Sequence, residues 1–489
     1  MEKKNLSKSL LIVLFLFASA LHAQTTFQRT YGGVFYDSGS RVLETPDHGY
    51  IIVGTTRSFS NDTTDIYVIR TDEVGDTVWT RTYGGNLWDS GIGIQRATDG
   101  GYIIASASNS IDPGNYDIYL IKINTAGETQ WTKSVGGPAT DYAHSIQTTS
   151  DGGYVVLAHT LSFGQGSLDF YLLKFDRKGD TLWTKTYGGA QSDWGSTVQQ
   201  TRDGGFILVG DTKSFGDSNG DVYLVKTDAN GNTLWTKTYG GNDYDRGFHV
   251  IQTNDNGYII VGATKSFGAG MNDLYIIKTD AAGDTLWTRT VGGPESDGAS
   301  FVQQTKDGGY IISGGVNSFG FGGSDAYLVK LNSAGNILWT RVFGGAKNDG
   351  AKCVRQTADG GFVVVGSSES FTTGQGYDVY LIKTNGSGDI TVVKDIESEV
   401  YPKDFKLTQN YPNPFSPKTI ISYQLPVERY VVLSIYNAAG HIVATLVSER
   451  QQAGKYEYEW DASGLSGGMY LYRLQAGNFV ETRKLVLLK

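Results

Sequence analysis

DGASFVQQTKDGGYIISGGVNSFGFGGSDAYLVKLNSAGNILWTRVFGG, residues 297–345, alternates short runs rich in Tyr, Ile, Val and Trp with Gly-containing turns. Ala299–Thr305, Tyr310–Gly315, Asp325–Asn332 and Leu338–Phe343 read as four strands. Lys306-Asp-Gly-Gly309 joins the first two, and Ser333-Ala-Gly-Asn336 joins the last two. Both are turn chemistries that fold a chain back on itself as a hairpin. The unit repeats. Trp79, Trp131, Trp183, Trp235, Trp287 and Trp339 follow one another at a step of 52 residues, and one step before Trp79 stands Phe27. Gly-Gly pairs at 32–33, 84–85, 136–137, 188–189, 240–241, 292–293 and 344–345 keep the same step, giving seven copies.

Four antiparallel strands per repeat at this period imply an all-β, seven-bladed β-propeller rather than a solenoid. The Trp-bearing strand resembles the outermost strand in the blades of quinoprotein-type and related bacterial propellers, which speaks for architecture and says little about chemistry. The count also leaves a mismatch. Phe27–Tyr31 has no earlier partners in its own unit, and the last unit, ending near Thr384, lacks its fourth strand. The expected solution is that Phe27–Tyr31 completes the last blade, closing the ring and removing exposed edges. The alternative is that Ile390–Val393 supplies that strand.

Outside the repeats, Lys3, Lys4 and Lys8 precede the apolar run Leu10–Phe17 and then Ala18-Ser-Ala20 and Leu21-His-Ala23. This is the pattern of a secretory signal peptide, cleaved after Ala20 or Ala23, and the run is too short to span a bilayer. The expected organisation is a signal peptide at 1–23, the propeller at 24–384, a polar linker at 385–402 and a second domain at 403–489. The formal charge of −9 with no basic block argues against nucleic acid as a partner. One cysteine, Cys353, excludes an internal disulfide, so packing and ring closure must provide the stability. A monomer is expected.

The two tight turns of each unit fall on one face of a propeller and the two variable connections on the other, where function usually sits. That face is expected to carry Phe35, Tyr36, Trp88, Tyr142, Trp194 and Tyr244, flat rings able to stack on sugars or peptides. Beside them recur Asp37, Asp89, Asp141, Asp193, Asp245, Asp297 and Asp349. These form either a ligand-binding or cation ring or, more simply, a set of caps on backbone N–H groups. The hairpins at Asp228–Asn232 and Asp280–Asp284 look like calcium loops, but Ala229, Ala281 and Ala282 leave too few oxygen ligands. No metal site or other cofactor is expected, calcium being the one candidate. No catalytic motif is present, and acids repeated seven times are poor candidates for a unique catalytic pair.

The last part of the chain has another grammar. Gln409-Asn-Tyr-Pro-Asn-Pro-Phe415, Gly454-Lys-Tyr456, Trp460-Asp461, Ser466-Gly-Gly-Met-Tyr-Leu-Tyr472 and the terminal Lys484–Lys489 punctuate about seven short strands. This segment resembles the type A C-terminal sorting domain of the type IX secretion system. The resemblance implies a β-sandwich of immunoglobulin-like form and Sec export to the periplasm. It further implies translocation across the outer membrane by the secretion machinery, with the tail often removed and the protein anchored or released. Ser416 stands where family members often carry Asn. For the propeller the leading expectation is a non-catalytic protein binding an extracellular glycan or protein through its loop face, which reads as nearly uniform from blade to blade. The alternatives are a polysaccharide-active hydrolase or lyase using the channel, or a structural and adhesive surface component.

Overall fold

A computed structural model describes residues 25–390 and 405–488, apart from 61–62, 112–113, 373, 427–428, 452–453 and 478. The expected signal peptide and residues 391–404 lie outside the described residues. The chain forms two compact units, residues 1–392 and 393–489.

The first unit is the seven-bladed propeller. After β1 (Phe27–Tyr31), blade one is built from β2 (Asp37–Glu44), β3 (Tyr50–Thr56), β4 (Asp65–Thr71) and β5 (Thr77–Tyr83), paired in that order. Five more sheets repeat it, from Asp89, Asp141, Asp193, Asp245 and Gly298. The seventh contains Asp349–Gln356, Phe362–Ser368 and Asp378–Thr384, and β1 pairs antiparallel with the last of these, Phe27 opposite Lys383 and Tyr31 opposite Val379. The N-terminal strand therefore closes the ring as expected, and β2 lies against blade seven. The expected linker began too early. Asn385–Asp389 repeats the hairpin turn of the other blades, with the Asn385 side chain accepting from the N–H groups of Ser387 and Asp389 at 2.9 Å, and Ile390 packs on the core.

The second and third strands are buried along almost their whole length, as apolar runs covered by a blade on either side. Outer strands alternate and are largely exposed. Blades splay apart toward the rim, and the large rings fill that wedge. Trp131 meets Tyr154 of the next blade at 6.2 Å between centroids, Trp183 meets Phe206 at 5.9 Å, and Phe27 meets Tyr50 at 6.0 Å across the closure. Each such pair contributes about 1 kcal/mol beyond its buried area. The ring also presses on a turn glycine of that neighbour: a Cβ on Gly179, at φ 80°, would lie 2.5 Å from Trp131. At the next seam, where Trp183 presses on Gly231, Tyr187 donates its hydroxyl to the Gly231 carbonyl at 2.6 Å, again from one blade to the next.

On the tight-turn face a second device recurs. Lys122, Lys174, Lys226, Lys278, Lys330 and Lys383 are buried in their third strands, and each ammonium reaches the aspartate of its own blade's first turn at 2.8–2.9 Å. Arg70 takes this place in blade one, on Asp47.

The described residues of the second unit form seven strands in two sheets: Lys406–Leu407, Lys418–Leu425 and Gly454–Asp461 in one, and Ile442–Gln451, Arg429–Asn437, Gly468–Ala476 and Phe479–Leu487 in the other. Both contribute to one core around Leu407, Tyr423, Trp460, Leu433 and Tyr472, which makes a sandwich. Its Gln-Asn-Tyr-Pro-Asn-Pro-Phe segment is held by Asn410. That residue is buried, its backbone N–H donates to the Tyr472 hydroxyl at 2.8 Å, and its amide donates to Thr419 at 2.9 Å. Phe415 rests on Trp460, 5.6 Å between centroids.

Candidate functional site

The seven aspartates that open the inner strands are consumed by the fold. Asp37, Asp89, Asp141, Asp193, Asp245, Asp297 and Asp349 are 0–2% exposed. In every blade one carboxylate oxygen accepts from the N–H of the second glycine of the Gly-Gly pair at 2.7–2.9 Å. The same oxygen accepts from the Ser hydroxyl of the Ser-Phe or Asn-Ser loop at 2.6–2.7 Å. Of the two roles expected for these residues, loop capping is the one that one oxygen of each carboxylate performs.

A further aspartate series opens the third strands and explains the first glycine of each pair. A Cβ on Gly188 would overlap the Asp169 carboxylate and lie 2.6 Å from that of Asp193. Two carboxylates thus flank one glycine at the junction between blades. Burial, reinforced by the Asp193 charge and partly opposed by the Gln165 N–H, pushes Asp169 up to about 6. Asp65 is pushed up to about 6 by burial and by Asp89.

What varies from blade to blade lies inside the ring. Each inner strand carries a bulge two residues after its first ladder pairs, with register shifts at Gly39/Arg41, Ala143/Ser145, Gly247/His249 and Ala351/Cys353 among others. The bulged residues are Ser40, Ile92, His144, Ser196, Phe248, Ser300 and Lys352. A bulge re-aims its side chain away from the ladder, and all seven line the cavities of the central channel. One space along the channel wall, about 380 Å³, is bounded by Arg41, His144, Trp194, Ser196, Arg246, Phe248, Ser300 and Lys352.

One side of this mouth is a wall of large side chains, from blades three to five. Tyr142 lies opposite His159 in its ladder and stacks on it at 5.6 Å and 7°. His159 meets Trp194 at 4.2 Å, and the His144 and His159 rings share a hydrogen bond of 2.6 Å. Burial lowers His159 to about 4, and burial together with His159 lowers His144 well below the usual range, so both are neutral at pH 7. Asp211, opposite Trp194, receives the Arg246 guanidinium at 3.1 Å and the Tyr244 hydroxyl at 3.2 Å. Arg246 also covers the Phe248 ring at 4.9 Å. On the other side the equivalent ladder pairs are Gly298 with Gly315 and Gly350 with Ser367. There the missing side chains open a groove of about 450 Å³ between Arg246, Phe248 and Gly298.

Of the expected aromatics, Tyr142, Trp194 and Tyr244 are thus in the wall. Tyr36 and Trp88 are 43% and 48% exposed on the same face, with Tyr36 against Tyr377. The wall contradicts a nearly uniform loop face. His144, His159, Asp211, Arg246, Phe248 and the cations Arg41 and Lys352 were missed because the repeat was read for what recurs. The signal was present: the first and third residues after each aspartate run Ser, Ser, Tyr, Trp, Arg, Gly, Gly and Ser, Ile, His, Ser, Phe, Ser, Lys, on either side of a position held to Gly or Ala. Among the described residues no cluster of three or more His, Cys, Asp or Glu could hold a metal ion, and no helix is long and apolar enough to cross a membrane.

Residues 409–488 match the family of secretion system C-terminal sorting domains. This tail indicates engagement of the type IX secretion machinery and a secreted or outer cell-surface location. The regulatory protein FlaEY of Caulobacter vibrioides is 27% identical over 175 residues, which are 31% of this chain and 18% of that protein, so the chain spans under a fifth of this relative's length. Among solved structures, PorZ, a surface component of the type IX secretion system of Porphyromonas gingivalis, is similar with a TM-score of 0.42 at 10% identity, over 94% of this chain and 60% of that one. The β-propeller domain of the Trilobed protease of Pyrococcus furiosus is similar with a TM-score of 0.42 at 10% identity, over 74% of this chain and 99% of that one.

Proposed function

We propose that this exported propeller is a non-catalytic binding protein that takes an extracellular glycan or protein at the mouth of its channel. The observation that carries the reading is the asymmetry of the mouth: a stacked wall of Tyr142, His159 and Trp194 beside Arg246 and Phe248, set across from Gly298, Gly315 and Gly350. Broad aromatic faces next to an open groove suit a ring-shaped or extended ligand. A hydrolase acting on glycosides needs two carboxylates around the bond to be cut. In the wall the described residues supply Asp211, which is already engaged by Arg246 and Tyr244.

The test is a glycan-array screen of the full chain, with and without calcium, run beside Trp194→Ala. Retention of specific glycans by the parent and their loss in the variant supports the reading. Turnover of a retained glycan would replace it with the hydrolase or lyase alternative. Silence for both proteins would favour a structural and adhesive role.

A further inference from the structure

Within a chain of net charge −9, two cations of the channel wall, Arg41 and Lys352, have no acid partner among the described residues, unlike Arg246 beside them. Arg41 and Lys352 both line the 380 Å³ space and also the smaller one beside it. Arg355, on the same inner strand as Lys352, lies with its guanidinium 4.8 Å from the Phe301 ring, and Arg41 approaches the same ring at 5.6 Å. The cations repel one another: Arg41 is lowered by burial and by Arg355, and Lys352 by burial and by Arg41. Among the described residues none of the three forms an ion pair. The Nε of Arg355 is buried without a hydrogen-bond partner. Elsewhere in this unit the opposite holds, since each buried lysine of the third strands has its own aspartate. Like charges confined between low-dielectric walls focus a positive potential in the cavity, and an anion entering it relieves their repulsion. The Arg fork accepts a planar carboxylate or a tetrahedral sulfate through two N–H groups.

We propose that Arg41, Lys352 and Arg355 form an anion site in the channel, which receives the carboxylate or sulfate of an acidic sugar whose ring lies on the Trp194 and Phe248 side of the mouth. The inference rests on the reading of the mouth as a binding site and narrows its ligand to an acidic polysaccharide. A sugar fits better than a free anion because the aromatic wall and the groove beyond Gly298 adjoin the cations directly.

Calorimetric titration of the full chain separates the possibilities. The probes are a galacturonic acid tetramer, a sulfated galactose tetramer, the neutral galactose tetramer and inorganic phosphate. At least one acidic tetramer is expected to bind about tenfold or more tightly than the neutral tetramer and phosphate, and to weaken as salt rises from about 50 to about 300 mM. The tighter of the two names the group as carboxylate or sulfate. Lys352→Gln, at a solvent-reached position, and Arg355→Gln should each weaken it about tenfold. The inference is overturned if neither acidic tetramer binds, if the neutral one binds equally, or if both variants bind like the parent. Phosphate binding as tightly as the tetramers would overturn the sugar assignment. Trp194-dependent binding of a neutral glycan would overturn the anion site while leaving the binding function standing.

Discussion

The seams between blades and the mouth of the channel are made by the same 52-residue unit, yet they obey different rules. At a seam, every position is spoken for seven times over: an aromatic in the wedge, a turn glycine beneath it, a capping aspartate and a glycine between two carboxylates. At the mouth, adjacent positions change from Ser to Trp to Gly with no cost to the ladder. The difference lies in what each side chain touches. A seam residue has a blade on both sides, so one added methyl group meets a packed side chain, a carboxylate at Gly188 and an indole ring at Gly179. A mouth residue has a blade on one side and solvent on the other, so it is free to carry a ligand.

The contrast breaks most visibly if the closure is cut. Deleting residues 25–33 removes β1 and the Phe27 wedge, and the melting temperature should fall by about 10 °C or more; an unchanged melt would show that the ring does not depend on this strand. A paired glycine experiment comes next. Gly188→Ala forces a methyl onto the Asp169 carboxylate and should cost about 1–3 kcal/mol. Gly350→Ala, whose Cβ would meet nothing within 4 Å, should stay within about 0.5 kcal/mol. Equal denaturation midpoints for the two would erase the distinction between seam and mouth.

A smaller effect concerns pH. Asp169 and Asp65 have folded-state values near 6 against an ordinary 3.8, so the unfolded chain releases these protons first. Their burial therefore costs nothing below about pH 3.8, destabilises increasingly between 3.8 and 6, and reaches its full cost above that. The mouth histidines act in the other direction. Their neutrality costs nothing above pH 6.5, where the unfolded chain is neutral too, and destabilises the fold increasingly as pH falls toward 4. Thermal melts from pH 7.5 to 5.5 should show Asp169→Asn gaining less on acidification than the parent, and His159→Phe gaining more. Parallel curves for all three would refute both assignments. The smallest change in stability is expected at the wall. Trp194→Ala should shift the denaturation midpoint by under about 1 kcal/mol while abolishing ligand retention. A large loss of stability there would make the wall a structural feature.

The closure was legible because counting strands is arithmetic: seven Trp or Phe strands starting before the first full unit leave one strand over. The capping aspartates were legible as a choice between two roles, and only burial and the shared donors decided between them. The wall was not read, although its residues stood in plain sequence. Tyr142 and Trp194 stand out in the sequence as aromatic, whereas His144, Phe248 and Lys352 sit at a bulge, and one extra residue reverses which way a strand side chain points. Asp211 and His159 belong to second strands, whose run of apolar residues hides a polar partner for the neighbour across the ladder.

By itself, then, the sequence determined the number of blades, the strand that closes them and the sorting tail, because each of these is written in spacing and local turn chemistry. The tertiary structure decided which blade ends form one wall and which leave it open. It also brought Arg41 beside Lys352, 311 positions away in the chain. Spacing along a chain records what pairs within a blade; only closing the ring sets the first blade against the last and turns scattered charges into one field.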